Sequence, residues 1–174
     1  MRVFLIVVCA AWAAAGASAN ALAQAQVPGM PTTAGETLSG KKIVLAEAVR
    51  GHRTVLVAGF SHDGGIACGD WMKAIRGDAA LAGLDVYEIA MLEGAPGILR
   101  GMIKSGMRKG MPSAEQERSV VLTRDDKLWE KYFDVSNAQE PQVMLLDAQE
   151  NVVWRGHGAA SAVEAELRNA VSAH

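Results

Sequence analysis

Thr54-Val55-Leu56-Val57-Ala58-Gly59-Phe60 runs into the polar turn Ser61-His62-Asp63-Gly64-Gly65, and Cys68 follows three residues later. The first stretch carries no charge and is rich in β-branched and aliphatic residues. It reads as a strand buried in the middle of a sheet. A helix is expected over about 68–76, with Trp71 and Ile75 four apart on its core face. Strand, turn and helix together open a crossover unit, so the next strand should pair in parallel.

Working outward, residues 84–91 alternate and read as a second core strand. Residues 42–45 form a short β-prone run, and residues 119–122 form another. Residues 98–109 read as a helix weakened by Gly101 and Gly106. Residues 125–133 suit a helix with aspartate at its positive end. Pro141 introduces a strand over 142–147, and the polar turn Ala148-Gln149-Glu150-Asn151 leads to a hairpin partner over 152–155. A helix over 160–171 places Val163, Leu167 and Val171 at fours. The expected order is β-β-α-β-α-β-α-β-β-α, one α/β domain over 38–174.

Composition excludes several classes of function. Half of the 174 residues are apolar and 21% are charged, so the chain can build a core and is not a disordered segment. The net charge of −2 offers no basic field for nucleic acid. The sequence holds no Gly-x-x-x-x-Gly-Lys, Gly-x-Gly-x-x-Gly, Gly-x-Ser-x-Gly or His-Glu-x-x-His, so no nucleotide, no hydrolase elbow and no metal or other cofactor is expected.

The N-terminus has the grammar of an export signal. Arg2 is the only charge before Glu36, an apolar run fills 3–15, and Ala17-Ser18-Ala19 and Ala21-Leu22-Ala23 are small-x-small sites. The run is short against the about 20 residues that span a bilayer. Residues 1–23 are read as a signal peptide cleaved after Ala23, residues 24–37 as a flexible leader, and the mature protein as periplasmic or secreted, without a transmembrane segment. Of the two cysteines, Cys9 leaves with the signal and Cys68 remains. Alone in an oxidising compartment, it is buried, reactive or paired to another molecule.

This order resembles the thioredoxin-like fold, on the branch of peroxiredoxins and periplasmic thiol-disulfide proteins. Val55-Leu56-Val57 through Phe60 leads to a cysteine placed at a helix start, Glu140-Pro141 precedes a strand where that fold keeps a cis-proline, and Val143 to Asp147 with Trp154-Arg155-Gly156 matches the closing hairpin. The resemblance implies a three-layer α/β/α sandwich with a mixed central sheet. More narrowly, Leu146-Asp147, Val153-Trp154-Arg155-Gly156-His157-Gly158, Ala160, Glu164 and Leu167 are similar to a mitochondrial ATP synthase assembly-factor family with a degenerate thioredoxin fold, whose first-helix tryptophan Trp71 would match. A binding role for Pro141 and Trp71 follows from these resemblances alone.

Dithiol exchange needs two thiols, and no second cysteine accompanies Cys68. A one-cysteine peroxidase is chemically sufficient, but peroxiredoxins carry Pro-x-x-x-Thr-x-x-Cys, and both signature residues are missing here, with Gly65 at the Thr position. Two readings of Cys68 follow. In one it is a small buried apolar side chain. In the other it is a catalytic thiol whose pKa is lowered at a helix N-terminus, with His62 as partner. His62, Cys68 and His157 would offer Cu(I) suitable donors, yet Gly156 and Gly158 explain the turn at His157 without a metal.

Arg100, Lys104 and Arg108, spaced by four, form a basic stripe accompanied by Met102, Met107 and Met111. It reads either as a solvated helix face or as a docking surface for an acidic protein partner or anionic lipid head groups. The sequence therefore describes an exported thioredoxin-like module that binds a protein partner without redox chemistry, with a one-cysteine peroxidase or sensor as the alternative. Intact mass of the exported protein should place its first residue at Gln24; retention of residues 1–23 refutes the signal-peptide assignment.

Overall fold

The computed structural model describes residues 29–174. The signal assignment, Cys9 and the first part of the leader lie outside the described residues. Seven strands form one mixed sheet: β1 (Ala34–Thr37), β2 (Lys42–Val44), β3 (Thr54–Gly59), β4 (Asp85–Met91), β5 (Ser119–Leu122), β6 (Gln142–Leu146) and β7 (Val152–His157). Their spatial order is β2-β1-β5-β4-β3-β6-β7. Strands β3, β4 and β5 are parallel neighbours, and the pairs β3–β6, β6–β7, β1–β5 and β1–β2 are antiparallel. The helices are α1 (Leu45–Ala48), α2 (His62–Gly77), α3 (Gly97–Lys109), α4 (Ser113–Gln116), α5 (Asp126–Phe133) and α6 (Ala160–Ala173), with a 3₁₀ turn at Ala79–Leu81.

Strand alternation divides the core in two. Leu56, Ala58, Ile89, Met91, Met144 and Leu146 pack under α1 and α5, where Trp129, Tyr132 and Phe133 form an edge-to-face aromatic group. Val55, Val57, Val143 and Leu145 turn to the opposite face, under α2 and α6. Every residue of β3 and β6 is buried. That two-sided burial is what their uninterrupted apolar runs demand. The result is the expected three-layer α/β/α sandwich with a mixed sheet.

Two expectations are corrected here. Residues 34–37, read as the end of a flexible leader, form β1, an inner strand between β2 and β5. Its Ala-Gly-Glu-Thr sequence has no β-prone signature because main-chain pairing on both sides carries it. At Gly35 a Cβ would meet the side chains of Val120 and Leu122 at 2.7 and 2.8 Å. The second correction concerns α2, which begins at His62 rather than near residue 68. Ser61 is its cap, its side chain accepting from Gly64 N at 3.1 Å. The glycines at 64 and 65 argued for a loop, yet they are the residues that let the first turn close against β3.

A Cβ on Gly59 would lie 2.6 Å from Gly65 Cα and 2.7 Å from its nitrogen, so strand end and helix start touch backbone to backbone. Gly69, one turn further along α2, has open space around its Cβ direction. Gly59→Ala should therefore lower stability by about 1–3 kcal/mol through overpacking. Gly69→Ala should raise it by about 0.5–1 kcal/mol through helix propensity. Urea denaturation of both variants checks the contrast, and equal effects would refute this account of the elbow.

Candidate functional site

Crossover folds place ligands at the carboxyl ends of their parallel strands, and here that end is built by the β3–α2 elbow. The first turn of α2 is Ser61-His62-Asp63-Gly64. Against it lies the loop before β6: a Cβ on Gly64 would meet Ala138 O at 3.0 Å and Glu140 O at 3.3 Å. The helix mouth thus holds a hydroxyl, an imidazole, a carboxylate and no sulfur.

Cys68 sits in the second turn, 1% exposed, in the same cluster as Val57, Trp71 and Val143. Burial pushes its thiol up, and the nearby Glu88 carboxyl pushes in the same direction. This corrects the expected helix-start position and the depressed pKa argued from it. His62 is exposed. Six helical residues separate the two by about 9 Å of rise and about 240° of rotation, which puts them on different faces. They do not form a pair.

The remaining candidates make contacts within the protein. Trp71 is fully buried, and its Nε1 donates to Gly158 O at 2.7 Å, tying α2 to the turn before α6. Pro141 is buried and trans, since the described residues contain no cis peptide; its carbonyl accepts from Gly158 N at 3.2 Å. His157 Nδ1 lies 2.6 Å from Glu140 Oε2. No cluster of three His, Cys, Asp or Glu side chains with metal-binding geometry occurs among the described residues.

The basic stripe also turns to the protein itself. Arg100 Nε donates to Ala95 O at 2.8 Å, Lys104 Nζ to Glu36 Oε1 at 2.5 Å, and Arg108 Nε to Leu38 O at 2.8 Å. These contacts clamp α3 to β1 and to its own preceding loop. The opposite arc of α3 is left in solvent: Ile98 is 86% exposed and Met102 69%.

Between α2 and α3 lies a feature the sequence reading missed, an apolar cavity of about 670 Å³ along the carboxyl half of β4. Ile66 and Gly69 of α2 wall one side, Ile103 and Met107 of α3 the other, and Glu88 and Ala90 of β4 form the floor. Glu88 was the available signal, a charge inside a strand between two apolar neighbours. The strand β4 is covered on both faces, and Glu88 is 6% exposed.

The chain has a thioredoxin-like fold whose helix mouth carries no thiol. Neither a protein-family description nor a curated protein sequence matches the chain. Solved structures do. A putative electron transfer protein from Aquifex aeolicus is 16% identical with a TM-score of 0.57, covering 83% of this chain and 93% of its own. A putative thiol:disulfide interchange protein, DsbE, from Chlorobium tepidum is 14% identical with a TM-score of 0.53, covering 81% and 94%. The exposed lipoprotein thioredoxin of Streptococcus pneumoniae is 15% identical with a TM-score of 0.51, covering 78% and 97%. At these identities the likeness is one of fold. No helix among the described residues is long and apolar enough to cross a membrane.

The clamp on α3 is pH dependent. The Lys104 hydrogen bond holds Glu36 below its ordinary value of 4.5. A lowered carboxylate stabilises above the unfolded value and loses that contribution as pH falls through the lower folded value. Glu36→Gln at neutral pH should reduce hydrogen-exchange protection of the α3 amides by about two- to fivefold, as expected for an exposed ion pair, and should spare β3. Wild-type protein below pH 4.5 should shift the same way. Unchanged α3 protection in both would refute the clamp.

Proposed function

We propose that the chain is an exported thioredoxin-like binding or assembly module that performs no thiol-disulfide exchange. One observation carries the reading: the helix mouth presents Ser61-His62-Asp63-Gly64, while the remaining sulfur, Cys68, faces the core with its thiol pushed up. A nucleophilic thiol must be ionised and reachable, and burial opposes both. Export is supported by the composition of residues 1–23 and agrees with a fold that other exported proteins use, such as the exposed lipoprotein thioredoxin. The residues shared with the assembly-factor family have structural work in this reading. Trp71 and Gly158 bond to each other, and Gly156 lies under the Trp154 ring, where a side chain would collide.

The alternative, a one-cysteine peroxidase or redox sensor using Cys68, has one supporting observation: Cys68 lines the cavity between α2 and α3. The two readings part on thiol chemistry. With Cys9 replaced by serine, alkylation of the folded protein should be slower than that of the urea-unfolded chain by more than about a hundredfold across neutral pH. Peroxide consumption and disulfide reduction should be at background. Rapid alkylation at pH 7, or peroxide turnover lost in Cys68→Ser, would overturn the non-redox reading.

A further inference from the structure

The cavity between α2 and α3 has a chemical bias that its apolar walls conceal. It follows β4 from Glu88 to Leu92 and opens past Gly94. At about 3.3 Å per residue this is a slot roughly 13 Å deep from Glu88 to Leu92. Its ionisable lining groups are Glu88, Cys68, His62 and Asp126. Neither lysine nor arginine contributes to the lining among the described residues.

Glu88 is the buried polar group at its floor. Ser119 Oγ donates to Oε2 at 2.9 Å. Among the described residues no donor reaches Oε1. The nearby Arg76 is engaged by Glu115 in an ion pair. A buried carboxylate with one donor has acceptor capacity left over, and Oε1 is in contact with the cavity space, where a ligand's donor can meet it. Burial accordingly raises the Glu88 pKa, against the hydrogen bond from Ser119. A ligand that supplies a charged donor would fill the gap through a charge-assisted hydrogen bond, the stronger kind, and its apolar body would cover Ile66, Ala90 and Ile103.

We infer that this cavity binds a hydrophobic primary amine, an alkyl or arylalkyl ammonium, with its head group received by Glu88 Oε1 and its tail lying between α2 and α3. The absence of lysine and arginine from the lining disfavours fatty acids. Alcohols of equal length lack the charge that the carboxylate would meet. The inference rests on the reading of the domain as a binding module; the thiol measurements judge that reading without any amine, so the two fail separately.

Isothermal titration of the full chain with octylamine, octanol and octanoate at pH 7 tests it without any substitution. Octylamine should bind at least about tenfold tighter than octanol, with octanoate weakest. Glu88→Gln keeps the shape and the Ser119 contact; it should erase the amine's advantage and leave octanol unchanged. Asp126→Asn, which removes the charge of the other carboxylate lining the cavity, should leave the order intact. Gly106→Phe, where open space meets the cavity, should abolish binding of amine and alcohol alike. Equal affinity for amine and alcohol, binding of none of the three, an advantage that survives Glu88→Gln, or one that depends on Asp126 instead would overturn the inference. The wild-type series and Gly106→Phe decide it even if Glu88→Gln does not fold.

Discussion

The contact between Gly59 and Gly65 is the constraint on which the rest of this structure depends. Two glycines let the end of β3 and the first turn of α2 meet main chain to main chain, and the Ser61 side chain closes the turn by accepting from Gly64. The helix therefore starts at His62, and the phase of every later residue is fixed by 3.6 residues per turn. Cys68, Trp71, Met72 and Ile75 are buried along α2, and Ile66 is carried to the opposite, open side. The burial of the sulfur and one wall of the cavity are both consequences of where that helix begins.

The second organising element is the sheet's two-sided burial. Alternate residues of β3 and β6 supply two separate cores, so these strands cannot slip by one residue without exchanging them. Trp71 then fixes α2 relative to α6 through the carbonyl of Gly158, which sits in the left-handed region at φ 96°. Glu88 is the buried charge among the described residues of this largely apolar order. A carboxylate at such a position weakens the core unless a partner meets it.

What the sequence made legible was what burial dictates. The runs at 54–60 and 142–147 and the alternation at 84–91 name the central strands, because a strand covered by helices has few residues to choose from. The helix phase at Cys68 was not legible. Glycines at 64 and 65 argue for a loop by propensity, and only their contact with Gly59 and with the loop at 138–140 makes them helical. Strand β1 was hidden for a related reason: Ala34–Thr37 owes its conformation to hydrogen bonds from β2 and β5, which no local pattern records. The stripe at Arg100, Lys104 and Arg108 was visible as a pattern, but its acceptors on Leu38, Glu36 and the loop at 93–95 are distant in sequence or belong to the main chain.

Helix α3 contains no fully buried residue and is held by the three basic side chains on one arc and by Met107 packing on Leu38, Ala90 and Val121. The Lys104–Glu36 part of that attachment answers to ionic strength and acidity, the two arginine bonds to main-chain carbonyls do not titrate, and the cohesion of the sheet answers to apolar area. A molecule assembled in this way has two independent thresholds, a low one for loosening its roof and a high one for unfolding. Helix α3 also walls the interior slot through Ile103 and Met107, so the roof of that slot rests on polar contacts and its floor on the apolar sheet.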